Sequence, residues 1–506
     1  MPAEQKANEF LKKSHLFRLG HLPTEWPHPK TVRLSDWAQH DLAKGFAVLQ
    51  NLDGEALHKM STQVSRLHAI HRDIRRVLHE GGRIFLCGCG ATGRLALTLE
   101  HLWRKTHRGS DQVVSFMAGG DVALVQALEG FEDYPEFGRR HLDQLGFREG
   151  DLFIGCTEGG ETPFVIGAVA RAAEISKNST YFIYCNPTST LIEHVERTRD
   201  VLQRPGVVGV ELFVGPMALA GSTRMQASTV LQLAVGLVLL ASDVQEIEAA
   251  LAGFVTFIEQ ASYQDLASFT ETEAGLYAAG GRVLYLAEDF AITVFTDTTE
   301  RAPTFNLWPF ESAASPPDRT SLAYLSIPSA QTAVEAWQTL LLRAPRALNW
   351  QDINVQTMDA HLSNFDFSQR AAQLRQKRLG DLPQTFFKVE RIGEYLIFNL
   401  ADQQGRWQLP RGGWLFEHLL LKMLLNAHST LLMGRLGRYR NNIMTWVKPT
   451  NGKLIDRAAR YVLHLLAEDR HGGITYEQVI HELFRQMEVM DPSASLVECT
   501  YRALVK

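Results

Sequence analysis

Apolar side chains along this chain change their spacing several times, and the changes predict strands that alternate with helices. From Trp37 to Val64 they recur at helical spacing. Arg83–Gly88 (RIFLCG) is then a short apolar run that leads into a glycine loop, and the helical pattern Leu95–Trp103 follows it. A short buried strand, a loop and a helix in this order are typical of a parallel sheet with helices on both faces.

The same unit is found again in two later parts of the chain. The first part contains a helix at Phe164–Ile175 and three further strands, at Val113–Ala118, Asp151–Cys156 and Tyr181–Cys185. The second part begins near Gly280 and contains strands at Arg282–Leu286 and Leu322–Ile327, a helix that runs through Glu300 and another helix from Ala330. The chain is therefore predicted to be internally duplicated.

The last third of the chain has a different pattern. Between residues 344 and 413 we predict a strand at Tyr395–Leu400 and a polar loop at Asp402–Arg411. A long helix follows at Trp414–Leu436, and apolar residues recur at helical spacing from Leu454 and again from Gly472. The tail is therefore predicted to be a small helical cap.

The length of 506 residues is too great for one ordinary core. We predict the α/β class, with two fused domains that each contain a doubly wound parallel sheet. The predicted boundaries are an N-terminal segment at 1–45, a first half at 46–262, a second half at 263–455 and a C-terminal helical cap at 456–506.

Composition narrows the function classes. Hydrophobic residues make up 45% of the chain, charged residues 21%, and the net charge is −5, which is typical of a globular protein and gives little support for nucleic-acid binding. The longest apolar stretch, Val230–Ala241, is shorter than the roughly 20 residues that a membrane helix needs. The first residues lack the apolar core of a secretory signal, and the five cysteines lack metal-ligand spacing. We therefore expect a cytoplasmic protein without membrane contact, metal or cofactor.

Three loops rich in glycine and hydroxyl groups follow predicted strands or precede predicted helices. Loop one, Gly88–Arg94, enters a helix, and helix N-termini at this edge of a parallel sheet favour anions. The residues of loop one that we expect at a ligand are Gly90, Ala91, Thr92, Gly93 and Arg94. Loop two, Thr157–Thr162 (TEGGET), adds Thr157 and Gly159, and loop three, Gly221–Arg224 (GSTR), adds Ser222, Thr223 and Arg224. Three such loops in one half predict an anion site.

A dinucleotide site is the alternative interpretation of loop one. Gly88, Gly90 and Gly93 have the glycine spacing of that fingerprint. However, the next predicted strand, Val113–Ala118, does not end in the acidic residue that would bind a ribose. The sequence therefore favours a phosphate group over a dinucleotide.

Several motifs resemble, in the same order, those of the bacterial N-acetylmuramic acid 6-phosphate etherases. The motifs are TEWPHPKT (24–31), GCGATGRLAL, ALEGFED (127–133), TEGGETPFVIGA, CNP (185–187), GPMALAGSTRM and NAHSTLLMGRLGRYRNNIMTWVKPTNGKL (426–454). The long stretch between the last two is similar to the tandem arrangement of the glucokinase regulatory proteins. The resemblance implies two fused sugar-isomerase (SIS) domains, each with a flavodoxin-like parallel sheet, and a helical cap.

The resemblance also implies one site that is built from both halves. It places one etherase glutamate at Glu132 and the other at Glu300, within DTTERAPTF of the second half. The first half has Leu102 at the position of Glu300, and the second half has Ala287–Asp289 where loop one would be. The resemblance therefore implies a single cleft, in which loop one and Glu132 face Glu300.

The loops depart from the etherase pattern at several positions. Gly159 stands in place of a serine, Glu161 in place of an arginine and Gln226 in place of a lysine. Glu158 and Glu161 would repel a phosphate unless a cation compensates them. Lys453 is similar to a lysine that contacts the phosphate in the glucokinase regulatory proteins, and we expect it at the ligand.

Two functions fit the pair of glutamates. The resemblance to the regulatory proteins implies that Glu132 and Glu300 hold a sugar without etherase activity, whereas in an etherase they would do acid and base work. We expect a sensor or regulator that binds a hexose or amino-sugar phosphate, is a monomer as an internal pseudo-dimer, and has a sugar kinase as its partner. The alternative is an etherase-type lyase or a sugar-phosphate isomerase in which the two glutamates are catalytic.

Overall fold

The computed structural model describes residues 2–17, 19–128, 130–316, 318–491 and 494–505, so Glu129 of the ALEGFED motif lies outside the described residues. The described part contains a first β-sheet with the strand order β2-β1-β3-β4-β5, in which every neighbouring pair is parallel. Its strands are β1 Ile84–Gly88, β2 Val113–Met117, β3 Leu152–Thr157, β4 Thr180–Tyr184 and β5 Val207–Glu211. The strand order is flavodoxin-like, and the predicted α/β class is confirmed.

Short apolar runs form the first sheet because both of its faces are covered. Every residue of β1 to β4 is buried, whereas the edge strand β5 is partly exposed, and the sequence analysis did not predict β5. Ile84 pairs with Val113 on one side and with Leu152 on the other, so β1 lies inside the sheet. The carboxyl end of β1, Gly88, therefore opens into loop one at the edge where parallel sheets bind ligands.

The second sheet has the strand order β10-β9-β8-β6-β7. Its strands are β6 Arg282–Ala287, β7 Ala323–Ser326, β8 Gln384–Ile392, β9 Tyr395–Leu400 and β10 Gln403–Gln408. Strands β7, β6 and β8 are parallel, whereas β8, β9 and β10 form antiparallel pairs. The antiparallel part differs from the predicted parallel sheet, because the connections between β8, β9 and β10 are too short for a crossover helix. The prediction of a polar loop at Asp402–Arg411 was wrong, since an exposed edge strand can carry polar side chains.

Helices cover both sheets. The helices before β6 are α1 Ala3–Lys13, α2 Leu34–His40, α3 Leu42–Ser61, α4 Leu67–His79, α5 Ala91–Thr106, α6 Val122–Val125, α7 Pro135–Gln144, α8 Pro163–Ile175, α9 Thr188–His194, α10 Glu196–Leu202, α11 Gln226–Leu240, α12 Val244–Gln260 and α13 Ala267–Ala278. The helices after β6 are α14 Ala291–Phe305, α15 Ala333–Leu341, α16 Asp359–Leu362, α17 Gln369–Leu379, α18 Trp414–Arg435, α19 Gly452–Glu468, α20 Tyr476–Val489 and α21 Leu496–Leu504. The predicted helix at Trp414–Leu436 agrees with α18.

Two buried helices join the halves. Nearly every residue of α11 and α18 is buried, and a helix that is buried on all sides belongs to an interior. Helix α18 packs against α3 and α11 of the first half and against α13 and α14 of the second half. The two halves therefore share one continuous apolar core.

The helical cap includes a helix from the other end of the chain. Helices α19, α20 and α21 pack on one another, and the N-terminal helix α1 packs on α20. Glu25 fastens the N-terminal segment to α19, because its carboxylate lies 2.6 Å from Arg457 Nη2 and 2.9 Å from Arg460 Nη2. None of the helices within the described ranges combines the length and the apolar character needed to cross a membrane.

Candidate functional site between the two halves

Loop one leaves β1 at Gly88 and enters α5 at Ala91. Gly90 precedes the helix with φ +54° and ψ −121°, a conformation that residues with a side chain rarely adopt. The Thr92 hydroxyl donates to the Cys89 carbonyl and accepts from the Cys89 N–H, with both distances at 2.9 Å. The hydroxyl therefore closes the loop, and an anion would be received by the backbone N–H groups at the start of α5.

The last two residues of loop one serve packing and contact between the halves. A Cβ on Gly93 would lie 2.5 Å from the Met117 Cβ, so glycine lets α5 lie close to β2. Arg94 is buried, and its Nη2 donates to the Ala123 carbonyl at 3.2 Å. Its Nε lies 3.5 Å from Glu300 Oε2 of α14. Arg94 thus joins loop one to the second half.

Lys453, at the start of α19, lies between two carboxylates of the first half. Its Nζ is 3.1 Å from Glu132 Oε1 and 2.7 Å from Glu161 Oε1. The other oxygen of Glu161 lies 2.6 Å from Arg197 Nη2. Burial raises the pKa of Glu161, but the charges of Lys453 and Arg197 outweigh this effect and hold that pKa well below its usual range. Glu161 is therefore a charged carboxylate that two cations neutralise.

Glu158 of loop two lacks such compensation. Its side chain is buried, and Oε1 has no hydrogen-bond partner among the described residues. Burial raises the pKa of Glu158 from 4.5 to about 8, and the negative charges of Glu300 and Glu132 act in the same direction. Glu158 is therefore mainly protonated at neutral pH when no ligand is bound.

The other predicted residues of loop two stabilise the loop itself. Thr157 Oγ1 lies 2.9 Å from Thr162 Oγ1 and accepts from the Gly160 N–H at 3.3 Å. The Gly159 carbonyl accepts from Asn186 Nδ2 at 2.9 Å. Thr157 and Gly159 therefore set the shape of loop two and the position of Glu158.

The predicted ligand-binding residues of loop three differ in their surroundings. Ser222 is buried, and its Oγ has no hydrogen-bond partner in the described part of the chain. Thr223 is half-buried. Arg224 is buried, with Nη1 3.1 Å from Asp297 Oδ1 and Nη2 donating to Thr430 Oγ1 at 2.9 Å. Arg224 therefore joins loop three to α14 and α18, whereas the Ser222 hydroxyl has an unused capacity for a hydrogen bond.

Sequence reasoning missed two cations near the loops. Arg197 neutralises Glu161. The acidic residue at position 161 could have indicated a nearby cation, since a buried carboxylate needs one. Lys422 of α18 donates to the Arg224 carbonyl at 2.9 Å and to Asn426 Oδ1 at 3.0 Å. Burial lowers the pKa of Lys422 to about 8. No spacing along the chain marks Lys422, because the contact depends on how α18 packs behind loop three.

Acidic side chains occupy the position in the second half that corresponds to loop one. Glu288 accepts from the Ser329 N–H and hydroxyl, both at 2.6 Å. Asp289 Oδ1 lies 2.8 Å from Lys105 Nζ, which is also 3.6 Å from the centre of the Trp414 ring. An acidic segment held in this way would repel a phosphate group.

Parts of the chain are similar to a domain of the glucokinase regulatory proteins and to bacterial etherases. A family model for the glucokinase regulatory protein N-terminal SIS domain matches residues 66–173. The N-acetylmuramic acid 6-phosphate etherase of Vibrio campbellii is 30% identical over 228 residues, which cover 45% of this chain and 69% of the etherase. The etherase of Synechococcus sp. is 32% identical over 219 residues, which cover 43% of this chain and 65% of that enzyme. The matched part thus spans slightly less than two thirds of the Synechococcus enzyme.

The chain was also matched to a solved structure. The tagatose-6-phosphate ketose/aldose isomerase from Escherichia coli is 11% identical, with a TM-score of 0.41, and the match covers 78% of this chain and 94% of that chain.

Proposed function

This chain belongs to the family of the N-acetylmuramic acid 6-phosphate etherases, and from this premise we propose that it binds a phosphorylated sugar in one cleft between its two halves. The observation that carries the proposal is the distance of 3.5 Å between Arg94 Nε in loop one and Glu300 Oε2 in α14. This contact supports the proposal, because it brings the N-terminal turn of α5 in the first half next to a carboxylate of the second half.

The phosphate would lie at the N-terminus of α5, where the backbone N–H groups and the helix dipole attract an anion. Ser222 of loop three would donate to the same phosphate, because a buried hydroxyl that has no partner among the described residues is costly and a phosphate oxygen would accept from it. The side chains of Glu132 and Glu300 are 27% and 15% exposed, so that both remain accessible to a sugar. Glu132 and Glu300 would accept hydrogen bonds from the sugar hydroxyls.

Calorimetric titration tests this proposal. The ligands are fructose 6-phosphate, fructose 1-phosphate and N-acetylmuramic acid 6-phosphate, with fructose as the control without phosphate. We expect at least one phosphorylated sugar to bind, and Ser222→Ala to weaken it about tenfold through the loss of one hydrogen bond to a charged group. We also expect Glu300→Gln to weaken binding, and Glu193→Gln, which changes an exposed carboxylate of α9, is its matched control. No binding of any sugar phosphate by the folded protein would refute the proposal.

Etherase chemistry is the second candidate, favoured by two partly exposed carboxylates at one cleft. One carboxylate would take the proton next to a carbonyl group, and the other would help the leaving group to depart. We expect an etherase to release lactate from N-acetylmuramic acid 6-phosphate, and Glu132→Gln or Glu300→Gln to abolish the release. Tight binding without lactate would reject the etherase and leave the binding function intact.

The regulatory role, the sugar kinase partner and the monomeric state stay predictions. We also propose a cytoplasmic location, because the cysteines in the described ranges are free thiols, as is usual in a reducing compartment. A pull-down with a sugar kinase, with and without the sugar phosphate, tests the partner.

A further inference from the structure

The cleft contains more carboxylates than the recognition of a phosphate and neutral hydroxyls requires. Glu132 and Glu300 come from the two halves, and loop two adds Glu158 and Glu161. The composition of the cleft therefore favours a ligand with a positive group in addition to its phosphate.

Three cations form ion pairs with these carboxylates. Lys453 Nζ contacts Glu132 at 3.1 Å and Glu161 at 2.7 Å. Arg197 lies 2.6 Å from Glu161 and also donates to the Glu161 carbonyl. Arg94 lies beside Glu300. Among the residues that the structure describes, these pairs account for three of the four carboxylates, and Glu158 forms no ion pair.

Glu158 is the carboxylate to which a ligand would supply a missing hydrogen bond. It is 8% exposed, and its Oε1 has no hydrogen-bond partner within the described residues. The charged groups that face it are Glu300 from α14, Glu132 from the segment before α7, and Lys453 from α19. Burial raises the pKa of the neighbouring Cys89 thiol, which is therefore neutral. Two carboxylates thus face a buried acid whose oxygen lacks a donor.

We propose that the cleft selects a sugar phosphate with a free amino group, and that Glu158 and Glu300 bind its ammonium. This inference rests on the proposed binding of a sugar phosphate. An ammonium offers three N–H donors and one positive charge, which match the unpaired Glu158 oxygen and the excess of carboxylates. An N-acetyl group offers one neutral donor and greater bulk, and a hydroxyl offers one neutral donor.

The ammonium also changes the protonation of Glu158. Without ligand the buried side chain holds a proton, and a bound positive charge favours the carboxylate form. Glu158 would then release its proton to the buffer as the amino sugar binds. A sugar phosphate with a hydroxyl at the same position would leave this proton in place.

Three ligands that differ only at carbon 2 test the inference: glucosamine 6-phosphate, glucose 6-phosphate and N-acetylglucosamine 6-phosphate. We expect calorimetry at pH 7 to give a dissociation constant for the amino sugar about tenfold lower than for the other two, the effect of one charge-assisted hydrogen bond. Titrations in buffers of different ionisation enthalpy should show proton release with the amino sugar alone. In Glu158→Gln the preference should fall to about threefold or less, while Glu193→Gln should retain it.

The outcomes separate this inference from the proposed function. Equal binding of the three sugars, or a preference for the N-acetyl or hydroxyl sugar, would overturn the selection of an amino group and leave sugar-phosphate binding intact. No binding of any of them, or of the fructose and N-acetylmuramic acid phosphates, would overturn both. If Glu158→Gln fails to fold, the comparison of the three sugars with the unchanged protein still decides the matter.

Discussion

Replacing Glu158 with glutamine should change how the stability of the protein depends on pH. Glutamine has nearly the same shape as glutamate but cannot ionise. In the folded protein the pKa of Glu158 is raised from 4.5 to about 8, so between these values the folded state holds a proton that the unfolded chain has lost. Rising pH therefore destabilises the unchanged protein through this group, and the destabilisation is absent in Glu158→Gln.

The magnitude follows from the two pKa values of Glu158. When the folded state binds one proton more than the unfolded state, the free energy of unfolding changes by about 1.4 kcal/mol for each pH unit. Integration from pH 5 to pH 8 gives about 3 kcal/mol, since the folded group is half ionised at the upper end. An unfolding entropy typical of a chain of 506 residues converts this to about 3 °C in the melting temperature if both halves unfold together.

The assay is thermal unfolding of both proteins, followed by circular dichroism at several pH values from 5 to 8. We expect the melting temperature of Glu158→Gln minus that of the unchanged protein to rise steadily with pH. Glu161→Gln is the matched control: its carboxylate is charged throughout this range, so its loss should destabilise the protein with little pH dependence. The melting temperature of Glu158→Gln minus that of the unchanged protein could instead stay constant or fall from pH 5 to 8. Either result would refute a buried, protonated Glu158.

Three further predictions concern the elements that build the cleft. Gly90→Ala places a Cβ at φ +54° and should lower the free energy of unfolding by about 1–3 kcal/mol in urea, whereas Gly253→Ala, in open space within α12, should not destabilise. Lys453→Met leaves Glu132 and Glu161 without their shared cation. It should lower the free energy of unfolding at pH 7, and by less near pH 4; a loss that does not depend on pH would contradict the ion pairs. Glu25→Gln removes the partner of two arginines and should cost about 3–5 kcal/mol, so limited proteolysis should cut the cap faster; an unchanged cleavage rate would contradict its fastening role.

Much of the first half could be predicted from local pattern. The strands β1 to β4 are continuous apolar runs bounded by loops, and a run of this kind specifies burial on both faces before any packing is known. Strand β5 escaped prediction because an edge strand is partly exposed and lacks a continuous apolar run. Strand β10 escaped for the same reason, since its polar side chains are typical of a loop.

The candidate site shows the same division. Loop one was predicted from its glycine and hydroxyl residues, which follow a predicted strand, and this depends on local chemistry. Glu132, Glu300 and Lys453 were instead predicted from the resemblance to the etherases and the regulatory proteins. The partners of these residues come from distant parts of the chain: Arg94 with Glu300, and Arg224 with Asp297. Pairing of this kind depends on how helices pack, and no spacing along the chain encodes it.

The sequence by itself determined the α/β class and the positions of the glycine-rich loops, because each follows from the period of apolar residues and from local turn chemistry. Only the tertiary structure decided which groups are free to bind. It directed Arg94 and Arg224 into contacts between the halves, supplied Arg197 to Glu161, and left Glu158 Oε1 buried with no hydrogen-bond partner in the described part of the chain. The physical reason is that charge and hydrogen-bond capacity are shared among neighbours in space, so the state of each group depends on residues that the chain brings close only by folding.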